Sequence, residues 1–350
     1  MLDIEKMLAK AKELGASDVH ITVGVPPKMR IQGHLKNMEF DRLVPEKTEE
    51  LLTGIMTDEQ KAYLDENGEV DFSFALPALG RFRANVFKQR GSYAASFRVV
   101  LTEVADEEVL GIPKEVMELS MLKRGLVLVT GPAGGGKSTT LAALIDKINT
   151  YREVHVITLE DPIEYLHQHK KAMVNQREIG IDAESYPRAL RAALRENPDV
   201  IMVGEMKDCE TVRLALVAAE AGYLVLSSLH TVGAGNTIER LVEMFPEGQQ
   251  LQIRLQLANV LDAVVSQQLL PSNTGKRVPA FEIMRMNPEI RNFIRDGRIY
   301  QIAGVMQEQN KNGMQTMDEA VLELYLRGLI SKETVLANAV DVFSIERRLL

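Results

Sequence analysis

Leu126-Val127-Leu128-Val129-Thr130-Gly131-Pro132-Ala133-Gly134-Gly135-Gly136-Lys137-Ser138-Thr139 decides the fold of this 350-residue chain. A short apolar run, of the kind that makes a buried strand, passes directly into G-x-x-x-x-G-K-[ST], and a helix is expected to follow over 138–148. The glycines let backbone N–H groups curl round phosphate oxygens where a Cβ would obstruct them, and the helix N-terminus adds partial positive charge. Gly131 to Thr139 is therefore the candidate nucleotide-binding loop. Lys137 would reach the β- and γ-phosphates, and the Ser138 hydroxyl would ligate Mg²⁺. Strand, loop and helix together imply an α/β domain with a doubly wound parallel sheet.

Working outward, Val154–Thr158, Val200–Val203 and Tyr223–Ser228 read as further buried strands alternating with helices. The first runs into Leu159-Glu160-Asp161-Pro162-Ile163-Glu164, the second into Gly204-Glu205 and the third into Leu229-His230-Thr231. An acid after a strand is by itself more often a cap, and a lone histidine more often structural. Ligands of open α/β sheets, however, bind beyond the carboxyl ends of the strands, so Glu164, Glu205 and His230 fall on the edge that carries the phosphate loop. The chemistry of phosphoryl transfer then assigns roles. Glu205 takes the Mg²⁺-side acid position with Ser138, Glu164 orients and deprotonates water, and His230 senses the γ-phosphate. The last hundred residues are expected to be mostly helical, with Met317, Ala320, Val321 and Leu324 on one face.

Residues 1–100 read as a smaller α+β domain. Its clearest element is a hairpin, Arg81–Lys88 with Tyr93–Val100 around Arg90-Gly91, whose shortest turn sets Arg83 directly opposite Arg98. Opposed like charges destabilise a hairpin unless an anion lies between them, so this face is either a phosphate clamp or an acid-paired surface. The acidic stretch 101–113, ending in Gly111-Ile112-Pro113, is expected to be a linker, and 114–350 the ATPase domain with its helical C-terminal region.

Composition narrows the partners. Lys and Arg number 41 against 49 Asp and Glu, giving a net charge of −8, and aromatics are 5% with no Trp. That argues against a nucleic-acid binder, which needs a basic or base-stacking surface. The single cysteine, Cys209, rules out a disulfide scaffold and suits a reducing cytoplasm. No apolar run approaches the roughly 18–20 residues of a bilayer span, so a cytoplasmic chain without direct membrane insertion is expected. His167-Gln168-His169-Lys170-Lys171 reads as a solvated basic loop rather than a metal site.

With these motifs the chain resembles the secretion-type ATPase superfamily over essentially its whole length, and within it the type IV pilus retraction ATPases. The resemblance is carried by Gly131–Thr140, Leu159–Glu164, Val174–Glu178, Pro198–Glu205, Ser228–Thr231 and Gly313–Met317. It extends to Glu289–Asp296, which is similar to an element that retraction requires. It implies a PAS-like N-terminal domain, a RecA-like ATPase domain and a homohexameric ring with ATP and Mg²⁺ between subunits. Arginines matching Arg83 and Arg98 would approach the γ-phosphate. The ring would work at the inner face of the cytoplasmic membrane, against the platform protein at the pilus base, and power twitching motility. Gly135 stands where the family has Ser, and Val232-Gly233 where it has Asn-Ser. Two alternatives remain at this point. One is a pilus assembly or type II secretion ATPase, whose members often carry a four-cysteine zinc element that one cysteine cannot build. The other is a nucleotide-switched scaffold without turnover.

Overall fold

Ile4, Met7, Leu8 and Ala11 recur at helical spacing and are the buried face of α1 (Ile4–Glu13), which begins where the Asp3 carboxylate accepts the Glu5 N–H. Strands β1 (Asp18–Ile21), β2 (Lys28–Ile31) and β3 (His34–Asn37) follow, then helices α2 (Pro45–Thr53) and α3 (Asp58–Asn67). Strands β4 (Glu69–Leu76), β5 (Gly80–Gln89) and β6 (Ser92–Val99) complete this part. The strands form one antiparallel sheet in the order β3-β2-β1-β6-β5-β4. Its buried residues, among them Phe72, Phe82, Val86 and Phe97, pack on Met7, Leu8, Leu52 and Leu64 of the three helices. The β5–β6 register sets Arg83 opposite Arg98, as the two-residue turn dictates. Strand β3 was not expected, because all four of its residues are exposed and no apolar alternation marks it.

The computed structural model describes residues 3–31, 33–76, 79–100, 104–309 and 313–349. The chain divides into two units, Met1–Thr102 and Glu103–Leu350. Residues 101–103 of the expected linker lie outside the described residues. The rest of that stretch is not a free linker. It contains α4 (Glu107–Leu110), and Val104, Leu110 and Ile112 pack on the core of the second unit, to which Glu107 is also tied by Lys147 at 2.7 Å. Its apolar residues, few among acids, are enough to bury one side.

The second unit continues with α5 (Lys114–Met117), β7 (Gly125–Thr130), α6 (Lys137–Tyr151), β8 (His155–Glu160), β9 (Met173–Glu178) and α7 (Tyr186–Ala193). Next come β10 (Val200–Val203), α8 (Cys209–Glu220), β11 (Leu224–Leu229), α9 (Ala234–Glu243) and α10 (Glu247–Val260). Strands β12 (Leu261–Pro271) and β13 (Arg277–Arg285), and helices α11 (Pro288–Asp296), α12 (Ile302–Glu308), α13 (Met317–Leu326), α14 (Lys332–Asn338) and α15 (Val342–Arg348), close the chain. The sheet order is β13-β12-β7-β11-β10-β8-β9, parallel throughout except for the β12–β13 hairpin. One core joins α7–α12 to one face of this sheet, and a second joins α5 and α6 to the other. This is the layered arrangement expected of a doubly wound domain. The hairpin β12–β13 departs from the expectation of a mostly helical end. Ser266-Gln267-Gln268 interrupts its apolar run, and burial beside β7 rather than sequence pattern makes it a strand.

Candidate active site

The order β7, β11, β10, β8 lays four loops side by side at the carboxyl ends of parallel strands. They carry, in sequence across the sheet, the phosphate loop, His230, Glu205 and Glu164. All four contribute to one cavity of about 220 Å³ that also takes in Ser138 and Tyr186. A larger groove of about 520 Å³, between the 111–115 stretch, β13 and α13, lies away from these residues.

The phosphate loop is shaped from below by β12. A Cβ on Gly131 would sit 2.0 Å from the Gln267 carbonyl oxygen, and one on Gly136 would sit 2.6 Å from its side-chain nitrogen. Both positions also have positive φ; a larger residue at 131 would have to move the strand backbone, and one at 136 would have to displace the Gln267 side chain. Gln267 is buried, and its Oε1 accepts the Thr140 hydroxyl at 2.6 Å. In the loop, Thr139 shares a 3.0 Å hydrogen bond with the Tyr165 hydroxyl. Ser138 is exposed, as a metal or phosphate contact must be, and so are Pro132, Ala133 and Gly134.

Lys137 is buried, and its ammonium donates to the carbonyls of Gly131 and Pro132, each at 2.9 Å, and to Nδ1 of His230 at 3.3 Å. Burial lowers its proton affinity, while the Glu205 and Glu164 carboxylates oppose that shift. Because an ammonium can only donate, His230 Nδ1 accepts, and the ring proton sits on Nε2, which donates to Glu205 at 3.2 Å. Lys207 is ion-paired with the other oxygen of the same carboxylate. The sequence-derived set is thus linked as Lys137–His230–Glu205, with Lys207 added.

Glu164 is exposed at the cavity, on a loop that two buried carboxylates hold in place. Glu160 accepts from the Thr158 hydroxyl at 2.6 Å, from the Gln176 amide at 3.0 Å and from the Glu164 backbone N–H. Glu178 accepts the Ile163 N–H at 3.2 Å. Burial pushes the Glu160 carboxyl toward holding its proton, against these hydrogen bonds. His167 lines the cavity as well, and burial pulls its imidazole down to about 4. Gln168, His169, Lys170 and Lys171 are exposed, as expected of a solvated loop, and only His167 departs from it. His169 Nδ1 accepts the Val174 N–H, and Lys170 pairs with Asp146 at 2.7 Å.

Arg83 and Arg98 lie in the first unit, where they line a separate cavity of about 170 Å³ with Asp18 and Asp71. Arg98 donates to Asp18 at 3.1 Å, and Arg83 lies 4.0 Å from Asp71. Asp18 is buried and lies within 3.8 Å of Arg30 too. Among the described residues the face is acid-paired, with Arg98 still 70% exposed.

In Glu289–Asp296, Ile290 and Ile294 are fully buried in the larger core, and Phe293 packs against it. Helical spacing sets Arg291 on the side of α11 away from Ile290 and Ile294. It donates to the carbonyls of Ala258 and Asn259 and reaches Asp262 at 3.5 Å, so it fastens α11 to the end of α10 and the start of β12.

Gln267, Tyr186, Lys207, Glu160 and Glu178 had no assigned role from sequence. For the two glutamates a signal existed, since each ends a strand beside the acid-rich loop.

A model of the type II/IV secretion system protein family matches residues 2–338 of the chain. The chain is 44% identical over 338 residues to the type IV pilus retraction ATPase PilT of Pseudomonas aeruginosa, covering 97% of this chain and 98% of that one. It is 45% identical over 314 residues to a twitching motility protein of Neisseria gonorrhoeae, covering 89% and 84%. The crystal structure of a pilus retraction motor PilT with bound ADP superposes with a TM-score of 0.92 at 49% identity, covering 99% of this chain and all of the other.

Proposed function

Because this chain belongs to the type II/IV secretion system protein family, we propose that it is an ATP-hydrolysing motor of type IV pilus retraction. The observation that carries the reading is the linked set Lys137–His230–Glu205 at the phosphate loop, on a fold that superposes on an ADP-bound retraction motor. Lys137 and the loop N–H groups bind the β- and γ-phosphates, displacing the internal carbonyls that the ammonium now holds. Glu164 takes a proton from the water that attacks the γ-phosphorus, as the bond to the bridging oxygen breaks. His230, between the loop lysine and Glu205, reports the γ-phosphate to the β10 end.

Ser138 and Glu205 would hold Mg²⁺. Their hard oxygens share the cavity, and no group of three or more His, Cys, Asp or Glu among the described residues could cage a metal alone. That suits an ion that keeps waters and phosphate oxygens as ligands. When bound, it neutralises phosphate charge.

The assembly is a homohexamer in which Arg83 and Arg98 serve the γ-phosphate held by a neighbouring copy. A cavity of about 220 Å³ supports this, being smaller than the roughly 300–1,000 Å³ pockets that enclose whole small molecules. No helix among the described residues is long and apolar enough to cross a membrane. The ring acts at the cytoplasmic face of the inner membrane through the pilus platform protein, which takes up the movement of α11. Expressing the chain in a piliated strain that lacks its own retraction ATPase tests the reading. Twitching should return with the parent chain and stay absent with Lys137→Ala; failure of the parent, with the protein present, would overturn it.

A further inference from the structure

Tyr186 opens α7, directly after the cap Ser185, and the helix packs on β8 and β10. Its ring is buried in the larger core, 8% exposed, while the residue lines the catalytic cavity. The hydroxyl reaches the carboxyl ends of those two strands. A Cβ on Gly204 would sit 2.9 Å from it, and the same absent Cβ faces the Leu159 carbonyl oxygen at 3.2 Å. Gly204 thus makes the space that the hydroxyl occupies. Burial first, and then the neighbouring carboxyls of Asp161, Glu205 and Glu160, raise its hold on its proton, so the phenol keeps that proton and can donate it in a hydrogen bond.

Apart from Ser138, which the proposed function gives to Mg²⁺, the other side-chain donors near Tyr186 are committed. The Lys137 ammonium holds two carbonyls, Lys207 holds Glu205, and His230 gives its ring proton to Glu205. Ser228 donates to the Gly204 carbonyl at 2.6 Å, and Tyr165 is bonded to Thr139. His167 is set apart, its nearest charges being Asp146 and Lys170. The Tyr186 hydroxyl makes no hydrogen bond to another described residue. A wall of carboxylates can accept protons from an attacking water but cannot donate to it, and a water fixed only through its hydrogens is free to turn its lone pairs.

We propose that Tyr186 is a catalytic residue of ATP hydrolysis, whose hydroxyl donates to the attacking water and fixes its orientation beside Glu164. The water oxygen bonds to the γ-phosphorus, the bond to the bridging oxygen breaks, and the water's proton passes to Glu164. Tyr186 keeps its own proton throughout. This rests on the reading of the site given above, and the test separates the two.

In the assembled full-length protein with Mg²⁺ and ATP, Tyr186→Phe should lower kcat about tenfold, the size of one hydrogen bond lost from the transition state. KM for ATP and the affinity for a fluorescent ADP should stay within twofold, and the melting temperature should hold, because the hydroxyl bonds to nothing in the protein. Gly204→Ala, which pushes on the hydroxyl, should lower kcat in the parent and much less in the Tyr186→Phe background. An unchanged kcat in Tyr186→Phe, a matching loss of nucleotide affinity, or multiplicative effects of the two substitutions would each overturn the proposal. Glu164→Gln is measured alongside. If it too turns over normally, Glu164 is not the base and the reading that sets the water beside it fails with the role of Tyr186; if it is inactive while Tyr186→Phe is normal, only the role of Tyr186 does.

Discussion

The phosphate edge of the parallel sheet and the arginine face of the antiparallel sheet both gather charge, and they do so by opposite means. At the phosphate edge, four strands deliver Lys137, His230, Glu205 and Glu164 to neighbouring loops, and the first three are joined by directed bonds, with Glu164 exposed beside them. On the arginine face a single hairpin register sets Arg83 against Arg98, and two aspartates neutralise them at an open surface. The first is organised in advance, its shape fixed by Gln267 below and by Glu160 and Glu178 behind. The second holds cations in reserve, in pairs weak enough to exchange for a better anion. The exposed pair Arg83–Asp71 is of a kind worth about 0–1 kcal/mol, so a phosphate can displace Asp71 at small cost, whereas Arg98 is held by the buried Asp18 and offers its exposed end.

The contrast can be broken most directly at the phosphate edge. Glu164→Gln should retain nucleotide binding and lose about 10²- to 10⁴-fold in turnover, the usual worth of a general base. Phosphate release and binding of a fluorescent ADP check it, and turnover near the parent rate would send the role to Glu205. Next in size, Arg83→Ala with Arg98→Ala should lose about 10- to 100-fold, as charge-assisted hydrogen bonds to the transition state go. Mixing that chain with Lys137→Ala should restore part of the activity, since some interfaces then pair an intact loop with intact arginines. No recovery in verified mixed rings would count against arginines acting between copies.

The smallest effect concerns acid. His167 is held at about 4 in the folded chain against 6.5 in the unfolded one. The unfolded state therefore binds the extra proton first, so stability is full above pH 6.5 and falls as pH drops toward 4. His167→Asn should flatten that part of the curve of melting temperature against pH, while leaving the arginine face untouched. A slope that persists would assign the acid sensitivity to other groups.

The phosphate loop was legible because its glycines, lysine and serine come in one run, and Glu164, Glu205 and His230 because each follows an apolar strand. Arg83 opposite Arg98 was legible from the shortest possible turn. The partner of Arg98 was not, since Asp18 is 80 residues away and only the β1–β6 pairing brings it close. Gln267 was hidden for a related reason. The polar run Ser266-Gln267-Gln268 breaks the apolar pattern that marks a core strand, and only the neighbouring loop explains why such residues are buried there. The anchoring of Arg291 was not legible either, because helical periodicity says nothing of the carbonyls at the end of α10.

The seating of the phosphate loop on Gln267 also has a meaning for how this sequence can drift. Gly134 has φ +71 but nothing within 4 Å of where a Cβ would stand, so a residue that tolerates left-handed backbone, such as Asn, can replace it alone. Gly131 and Gly136 have no such liberty. At Gly136 the obstacle is the Gln267 side chain, so a change there calls for a simultaneous change at position 267, more than a hundred residues away along the chain; at Gly131 it is the backbone carbonyl of residue 267, which no side-chain change removes. Positions 136 and 267 are one heritable unit, and a library that varies both together should yield active sequences that neither position reaches by itself.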